Sequence, residues 1–318
     1  MNAPGPASRE AVAARIDAMI SEISRVFLGP RTIPRLAVTA LLAGGHALLE
    51  GVPGVAKTTL ARAVADASGC AFRRIQFTPD LLPADITGSY VLDPREGRFQ
   101  LRKGPIFAHV VLADEINRAT AKTQSALLEA MQEHQVTIEG DTLPLPDPFF
   151  VIATQNPVEQ AGTYPLPEAQ IDRFLLRIRV GYPEPETERA ILRGFLQGGE
   201  RVRPVLDPAL ILSTRAAIQG VHVEDELLDY IVRLCTFTRH HGQVLLGASP
   251  RAGLALAQAA KAWAATEGRD FVLPDDVRAL AEPVLAHRLV MRPEAEIEGV
   301  DAPQIVARAL RETPPRKR

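Results

Sequence analysis

The sequence predicts an α/β domain in which helices flank a parallel sheet, followed by a smaller domain made of helices. Short apolar strands alternate with amphipathic helices from residue 46 to residue 180, and this rhythm is typical of parallel sheets. After Pro183-Glu184-Pro185 the strand patterns fade and amphipathic helices dominate. The length of 318 residues suits about two domains.

We place the domain boundary near Tyr182. The α/β domain is expected to span residues 9–182, and the helical domain is expected to span residues 183–312. Residues 1–8 are rich in Ala, Pro and Gly and are expected to be disordered, while residues 313–318 form a basic tail.

Two helices precede the first strand. Within residues 9–27 the apolar side chains recur at helical spacing, and a second helix follows Pro34 and ends at Gly44-Gly45. The clearest later helices of this domain are residues 59–68 and 122–133. The apolar runs that we expect to form the buried sheet are residues 46–50, 71–77, 110–113, 149–154 and 174–180.

Two short insertions interrupt the alternation of strands and helices. Each places turn residues between strand-like residues, so we predict hairpins at residues 90–101 and 135–145. Several helices of the second domain begin with Asp, Ser, Pro or acidic residues, which are signals for a helix start. These helices are predicted at residues 186–196, 208–219, 224–239, 250–266 and 274–287.

The composition excludes several classes of protein. Residues 1–182 carry 18 Lys and Arg against 19 Asp and Glu, and residues 183–318 carry the same numbers. Neither part has the basic excess of a dedicated nucleic-acid or anionic-membrane binder. The N-terminus does not read as a signal peptide, and the apolar runs are too short for a membrane span.

The two cysteines point to the compartment. Cys70 and Cys235 lie far apart in the sequence and form no CxxC pair, so they fit reduced thiols better than a disulfide or zinc framework. We therefore expect a cytoplasmic protein that is not inserted in a membrane.

A Gly/Pro loop between a strand and a helix predicts a phosphate site. The phosphate loop, residues 51–58, follows the first strand and opens a helix, so its backbone N–H groups can surround phosphate oxygens at a helix N-terminus. The residues expected to bind nucleotide are Gly51, Val52, Pro53, Gly54, Val55, Ala56, Lys57, Thr58 and Thr59.

Two side chains of this loop carry specific roles. Lys57 would reach the β- and γ-phosphates, and the Thr58 hydroxyl would ligate Mg²⁺. The usual pattern has Gly directly before the lysine, whereas this chain has Ala56. Because alanine is small and favours helix, we expect the loop to keep its form. The alternative is an ordinary Gly/Pro turn with an incidental lysine.

An apolar strand that ends in two carboxylates predicts the metal and water sites. Residues 109–113 read as a strand buried on both faces, and Asp114 and Glu115 follow at its carboxyl end, where parallel sheets bind ligands. Asp114 would hold Mg²⁺ through its water shell, and Glu115 would orient and polarise the attacking water. The alternative is a solvated junction between strand and loop.

Together these segments resemble the AAA+ ATPases, and four further stretches resemble the MoxR family within that group. Residues 114–119 look like its extended Walker B segment and residues 153–157 like its sensor 1 strand end. Residues 162–174 look like a MoxR signature and residues 249–251 like the start of the sensor 2 helix. The resemblance spans about residues 29–289, and an alanine before the lysine is typical of the family.

The resemblance implies roles for three further residues. Asn156 would be sensor 1 and would position the lytic water or contact the γ-phosphate; the alternative is an Asn-Pro turn. Arg173 would be the arginine finger that reaches a neighbouring subunit's nucleotide; the alternative is a surface arginine paired with Asp172. Arg251 would be sensor 2, acting on its own subunit's site or on a neighbour's.

The resemblance also implies an activity and partners. The protein would hydrolyse ATP with Mg²⁺ in a ring, most simply a hexamer, and would act as a chaperone that matures or activates client proteins. Its usual partner would carry a von Willebrand A domain. The two predicted hairpins would face the central pore or the client.

Three other functions remain open at this point. A nucleic-acid motor is disfavoured by the even charge and by the 5% aromatic content. A chelatase-type motor subunit would carry similar motifs and a similar partner. A scaffold that binds nucleotide without turnover would not need Glu115, Asn156 and Arg173. His46 and Trp263 are interpreted as core residues.

Overall fold

A computed structural model describes residues 9–156, 163–196 and 201–315. The N-terminal segment expected to be disordered, the last three residues of the basic tail, and two motif positions, Pro157 and Gly162, lie outside the described residues. The helices are α1 (Arg9–Val26), α2 (Thr32–Leu42), α3 (Lys57–Ala67), α4 (Pro83–Thr87), α5 (Ala121–Glu133), α6 (Glu168–Ile171), α7 (Pro185–Leu196), α8 (Pro208–Gln219), α9 (Asp225–His240), α10 (Pro250–Thr266), α11 (Pro274–Leu285), α12 (Pro293–Ile297) and α13 (Ala302–Glu312). The strands are β1 (Ala47–Glu50), β2 (Phe72–Gln76), β3 (Gly88–Asp93), β4 (Arg98–Lys103), β5 (Val110–Asp114), β6 (Gln135–Ile138), β7 (Asp141–Pro144), β8 (Phe150–Gln155), β9 (Leu176–Arg179), β10 (Val244–Leu246) and β11 (Val290–Met291).

The predicted α/β fold class is confirmed by a five-stranded sheet in which every neighbouring pair is parallel. Its strand order is β2-β5-β8-β1-β9. The three central strands β5, β8 and β1 therefore end side by side at the same edge. Parallel strands buried on both faces need continuous apolar sequences, and the strand sequences VVLAD and FVIATQ meet that need.

The two faces of the sheet pack against different helices. One face, with Leu49, Leu112 and Ile152, joins the core formed by α1, α2, α3 and the later helices. The other face, with Val111 and Val151, packs against the side of α5. Alternate residues of each strand thus pack into two different cores, because successive side chains of a strand point to opposite faces of the sheet.

Several helices of the second domain begin as the sequence indicates. The Asp207 carboxylate accepts a hydrogen bond from the backbone N–H of Leu210, and Ser249 caps α10 in the same way. Each cap is followed by a proline at the first helical position, which has no N–H to satisfy.

The structure adds elements that the sequence patterns did not predict. Helix α13 buries Ile305, Val306 and Ala309, but this narrow apolar stripe lies among polar residues. The antiparallel pair β10–β11 joins segments more than forty residues apart, and such short strands leave little local pattern. The first hairpin spans residues 88–103 and is thus longer at both ends than predicted, because its cross-strand pairing continues to Gly88 and Lys103.

Trp263 lies at the junction between the two regions. It is buried on α10, as the sequence indicates, and the Arg35 guanidinium of α2 stacks 3.6 Å from its ring centre. Arg35 also forms a 2.6 Å ion pair with Glu267. The later helices are therefore fixed against α2 by stacking and charge as well as by apolar packing.

Among the helices of the described residues, we find none with both the length and the apolar character needed to cross a bilayer.

His46 is a buried, neutral side chain, as expected for a core residue. Its Nδ1 accepts a hydrogen bond from the backbone N–H of Val151 (3.0 Å), and its Nε2 lies 3.1 Å from the carbonyl oxygen of Met131. Since Nδ1 is an acceptor, Nε2 carries the proton and donates. Burial lowers the pKa of His46 to about 4, because a charged ring would be poorly solvated there.

We predict that His46 makes the folded protein sensitive to mild acid. Its folded pKa of about 4 lies below the unfolded value of 6.5, so its contribution is present above pH 6.5 and is lost as the pH falls towards 4. Between pH 7 and pH 5 this one side chain should lower the free energy of unfolding by about 2 kcal/mol. Urea unfolding at both pH values should show a smaller drop for His46→Gln. An equal drop in both proteins would contradict the prediction.

Candidate functional site

The carboxyl ends of the three central strands enclose one polar cavity. The phosphate loop follows β1, Asp114 and Glu115 stand at the end of β5, and Asn156 follows β8. A cavity of about 290 Å³ lies between them. Its lining residues are Pro53, Gly54, Ala56, Lys57, Thr58, Asp114, Glu115 and Asn156. Every one of these eight belongs to the set singled out from the sequence.

Two glycines shape the phosphate loop for different reasons. The backbone N–H of Gly51 donates to the carbonyl oxygen of Gln155 (3.3 Å), and a Cβ at Gly51 would lie 2.3 Å from the carbonyl oxygen of Val180. Position 51 therefore has no room for a side chain. Gly54 has φ of +85° with open space around it, so its need for glycine is conformational.

Ala56 has a left-handed backbone at φ 59°, ψ 25° and is the N-cap of α3. The sequence-based reason for tolerating alanine, its preference for helix, is therefore wrong, because the residue lies outside the helix. A left-handed conformation is strained for any residue with a Cβ, and glycine would relieve that strain.

Lys57 is held at the first turn of α3 and is only 9% exposed. Its Nζ donates to the carbonyl oxygen of Gly51 and, at 3.4 Å, to that of Gln155. Burial lowers the pKa of Lys57, while the nearby carboxylates, Asp114 foremost, oppose this shift. The ammonium group is thus poorly hydrated and surrounded by oxygen atoms, so it is well placed to bind an anion.

The other loop residues contribute differently. Thr58 is exposed at the start of α3 and lines the cavity, whereas Thr59 lies beside it without lining the cavity. Val55 is buried and Val52 packs against the core. These two valines anchor the loop, and their contact with a ligand would be through backbone atoms.

Asp114 is 7% exposed and has partners on both oxygens. Its Oδ1 accepts a hydrogen bond from the Thr154 hydroxyl (2.6 Å). Its Oδ2 accepts two hydrogen bonds from Arg74, one from Nε (3.0 Å) and one from Nη2 (2.6 Å). The carboxylate is thereby fixed in orientation from two neighbouring strands, β8 and β2.

Glu115 is oriented by a left-handed backbone and by two donors. Its φ is 56°, and its backbone N–H donates to the Thr154 hydroxyl (2.8 Å). Its Oε2 accepts hydrogen bonds from Gln76 Nε2 (2.7 Å) and from Arg118 Nη1 (3.0 Å). The turn after Asp114 and these two donors therefore hold the second carboxylate on the cavity.

Four of these partners were not found from the sequence. Arg74 and Gln76 lie two residues apart on β2, and Thr154 lies near the end of β8. Their importance depends on β2 and β8 both lying beside β5, and strand order is not visible in the sequence. Arg118 lies three residues after Glu115, so local spacing could have indicated it.

Arg173 and Arg251 do not line the cavity; Arg251 contacts Asp172, the residue that precedes Arg173. The Asp172 carboxylate pairs with the buried Arg288 (2.7 Å) and, at 3.7 Å, with Arg251, whose side chain is 58% exposed. Asp172 is thus engaged by these two arginines, and the alternative in which it pairs with Arg173 is not what the structure shows. Arg288 also donates to the carbonyl oxygen of Phe174 (2.8 Å).

We predict that Ala56→Gly stabilises the protein. Glycine removes the strain of the left-handed conformation but increases the freedom of the unfolded chain, so the net gain should be about 0.5–1 kcal/mol. Ala307→Gly, at an exposed position inside α13, should instead cost about 1 kcal/mol. Urea unfolding of both variants measures the difference. Destabilisation of similar size in the two would show that Ala56 is unstrained.

Two protein-family models match the chain. The model for the ATPase family associated with various cellular activities (AAA) matches residues 46–176. The model for the AAA lid domain matches residues 236–309. These matches cover the sheet with its phosphate loop and much of the helical region that follows.

Individual proteins are similar over most of the chain. The uncharacterized protein YeaC of Bacillus subtilis (strain 168) is 50% identical over 289 residues, which is 90% of each chain. Chaperone MoxR1 of Mycobacterium tuberculosis is 43% identical, over 96% of this chain and 84% of that protein. A crystal structure from Cytophaga hutchinsonii, described as a candidate ATPase, has a TM-score of 0.91 and 41% identity over 97% of both chains. With this similarity and with its own sheet, phosphate loop and lid, the chain belongs to the MoxR family of AAA+ ATPases.

Proposed function

We propose that the protein binds ATP in the cavity at the carboxyl end of the sheet and hydrolyses it to ADP and phosphate. The observation that carries the proposal is the lining of that cavity. A lysine ammonium, a threonine hydroxyl, two carboxylates and an amide face one space of about 290 Å³. Polar groups that converge in this way on a space of this size suit a triphosphate tail and its metal better than an apolar ligand.

Binding of the phosphates would rest on the loop and on α3. The loop's backbone N–H groups and the helix N-terminus favour an anion. Lys57 would exchange its carbonyl contacts with Gly51 and Gln155 for phosphate oxygens. This exchange is favourable because the poorly hydrated ammonium gains a full counter-charge.

The donor set of the cavity fits a magnesium ion. Mg²⁺ prefers oxygen donors and retains several of its waters, and Thr58 offers a hydroxyl while Asp114 offers a carboxylate on the same cavity. We propose that these two residues hold the metal. When bound, it would neutralise charge that develops on the phosphates.

Turnover would depend on Glu115 and Asn156. Glu115 is held by Gln76 and Arg118 with its carboxylate on the cavity, so we assign it to orienting and polarising the attacking water. Asn156 is a buried amide on the same cavity, and we assign it to the sensor 1 role beside the γ-phosphate. Positioning of this kind is the main source of catalysis in phosphoryl transfer.

We propose that Arg173 and Arg251 both serve a neighbouring subunit's nucleotide. Neither residue lines its own subunit's cavity. Arg251 is largely exposed and lies 3.7 Å from Asp172, and Arg173 directly follows Asp172 in the chain. A guanidinium from a neighbour could stabilise charge on the γ-phosphate. Hydrolysis would then require a closed ring, most simply a hexamer.

We propose a chaperone-like role in maturing or activating other proteins, which the name of MoxR1 supports. The hairpin β3–β4 offers a surface for such a client because the cross-strand pair Leu92 and Phe99 is exposed. The Tyr90 hydroxyl donates to Asp141, so the two hairpins are connected. A partner with a von Willebrand A domain and a cytoplasmic location remain part of this proposal.

Two substitutions should separate binding from turnover. Lys57→Ala removes the ammonium and should abolish ATP binding. Glu115→Gln keeps the shape of the side chain without its charge, so it should bind ATP and release almost no phosphate. Calorimetry with a non-hydrolysable ATP analogue and a phosphate-release assay measure the two effects. The matched controls are Lys122→Ala and Glu129→Gln, both exposed on α5. Unchanged phosphate release by Glu115→Gln would remove Glu115 from its assigned role.

Arg173→Ala should bind ATP normally and lose hydrolysis by about a thousandfold. Mixing it with Glu115→Gln should restore part of the activity, because some mixed interfaces join an intact Glu115 to an intact Arg173. Arg189→Ala, at an exposed position on α7, should behave as the native protein does. If rings that contain both variants show no recovery, the sites are not shared between subunits.

A further inference from the structure

Arg74 makes a close ion pair with the carboxylate that we assign to the metal. Its Nε and Nη2 both donate to Asp114 Oδ2, at 3.0 Å and 2.6 Å. Nη2 also donates to Gln76 Oε1 at 2.7 Å, which fixes the plane of the guanidinium. The sequence motifs do not assign a role to Arg74, and its position depends on β2 lying beside β5.

This ion pair occupies part of the coordination capacity of Asp114. Oδ2 receives two hydrogen bonds from Arg74, and Oδ1 receives one from the Thr154 hydroxyl. A carboxylate offers about four lone-pair positions. The oxygen that carries the guanidinium is therefore saturated, and a second cation at Asp114 would compete with Arg74 for charge and for space.

The two partners of this pair are buried to different extents. The Asp114 side chain is 10% exposed, whereas that of Arg74 is 50% exposed because β2 is at the edge of the sheet. The Arg74 side chain can therefore rotate into the solvent at little cost in hydration, whereas the Asp114 side chain stays buried. An ion pair with one half-exposed partner is also only modestly stable.

Lys57 is a poorer candidate for the same exchange. Its Nζ is bound by the carbonyl oxygens of Gly51 and Gln155, and its place on the phosphate loop assigns it to the phosphates. Arg74, by contrast, directly contacts the Asp114 carboxylate.

We propose that Arg74 is the counter-ion that Asp114 exchanges for hydrated Mg²⁺ when ATP binds. Arg74 is thus a positioning residue that sets how strongly nucleotide affinity depends on the metal. This inference rests on the proposed function of Asp114 as the metal-holding carboxylate. It gives β2 a second role at the site, beside that of Gln76, which orients Glu115.

The exchange predicts opposite effects with and without the metal. Without Mg²⁺, loss of Arg74 leaves Asp114 uncompensated beside a triphosphate, so ATP should bind more weakly. With Mg²⁺, the metal no longer has to displace a guanidinium, so ATP should bind as well as or better than in the native protein. A residue that only supports the fold would weaken binding in both conditions.

The test measures dissociation constants of a fluorescent, non-hydrolysable ATP analogue in excess Mg²⁺ and in EDTA. The ratio of the EDTA value to the Mg²⁺ value should rise about five- to tenfold in Arg74→Ala. Arg74→Gln keeps most of the side-chain length without the charge and should show the same rise in this ratio. It replaces Arg74→Ala in the test if the alanine variant does not fold. Arg73→Ala, at an exposed position on the same strand, is the matched control and should leave the ratio unchanged.

Equal weakening in both media would overturn the proposal, because it would mean that Arg74 binds phosphate directly or only supports the strand. An unchanged ratio in both variants would also overturn it. Failure of the underlying function would look different, since the native protein itself would then bind the analogue with no dependence on Mg²⁺.

Discussion

The end of β8 connects the carboxylates at the end of β5 to the phosphate loop that follows β1. Thr154 donates its hydroxyl hydrogen to Asp114 and accepts the backbone N–H of Glu115, so it fixes both residues at the end of β5. The next residue, Gln155, offers its carbonyl oxygen to the backbone of Gly51 and to Lys57 on the opposite side. Because β8 lies between β5 and β1, two consecutive residues set the separation of the carboxylates from the phosphate loop.

A second connection runs through Asp172 and joins the sheet region to the later helices. Its carboxylate pairs with Arg288, whose side chain is only 4% exposed, and with Arg251 at the start of α10. A buried guanidinium needs its full set of acceptors, and Arg288 finds the others in the carbonyl oxygens of Asp172, Phe174, Leu175 and Val284. A movement of the helical lid would therefore be transmitted directly to the segment that carries Arg173.

The residues that could be predicted from the sequence are those whose patterns are local. The phosphate loop is recognisable because eight consecutive residues follow a strand and lead into a helix, and the carboxylates are recognisable because they end an apolar run. The partners that orient those groups depend on strand order. Arg74 is forty residues from Asp114 and Thr154 another forty beyond it, so only the folded sheet shows that they share one carboxylate.

The backbone explains a further limit of sequence reasoning. Ala56 and Glu115 both have φ near +55 to +60°. The residue types at these positions do not indicate this backbone conformation in the sequence. At these two positions strain is stored next to the cavity, where the surrounding hydrogen bonds of Gly51 and Thr154 hold the chain. Such strain persists only when the neighbouring structure over-determines the backbone, and here the sheet edge supplies that constraint.

The position of β2 at the edge of the sheet gives the site an asymmetry in its charges. The Asp114 carboxylate stands at the end of an interior strand and is largely buried, whereas Arg74 reaches it from a strand at the edge of the sheet. A cation held in this way stabilises the buried carboxylate yet can be replaced, because the displaced guanidinium is hydrated by the solvent. An interior strand would have required a neutral or permanently buried partner, as Thr154 is for Asp114 Oδ1. The edge strand therefore supplies a contact of Asp114 that an incoming cation can displace, and Thr154 supplies a contact that keeps the carboxylate in place during the exchange.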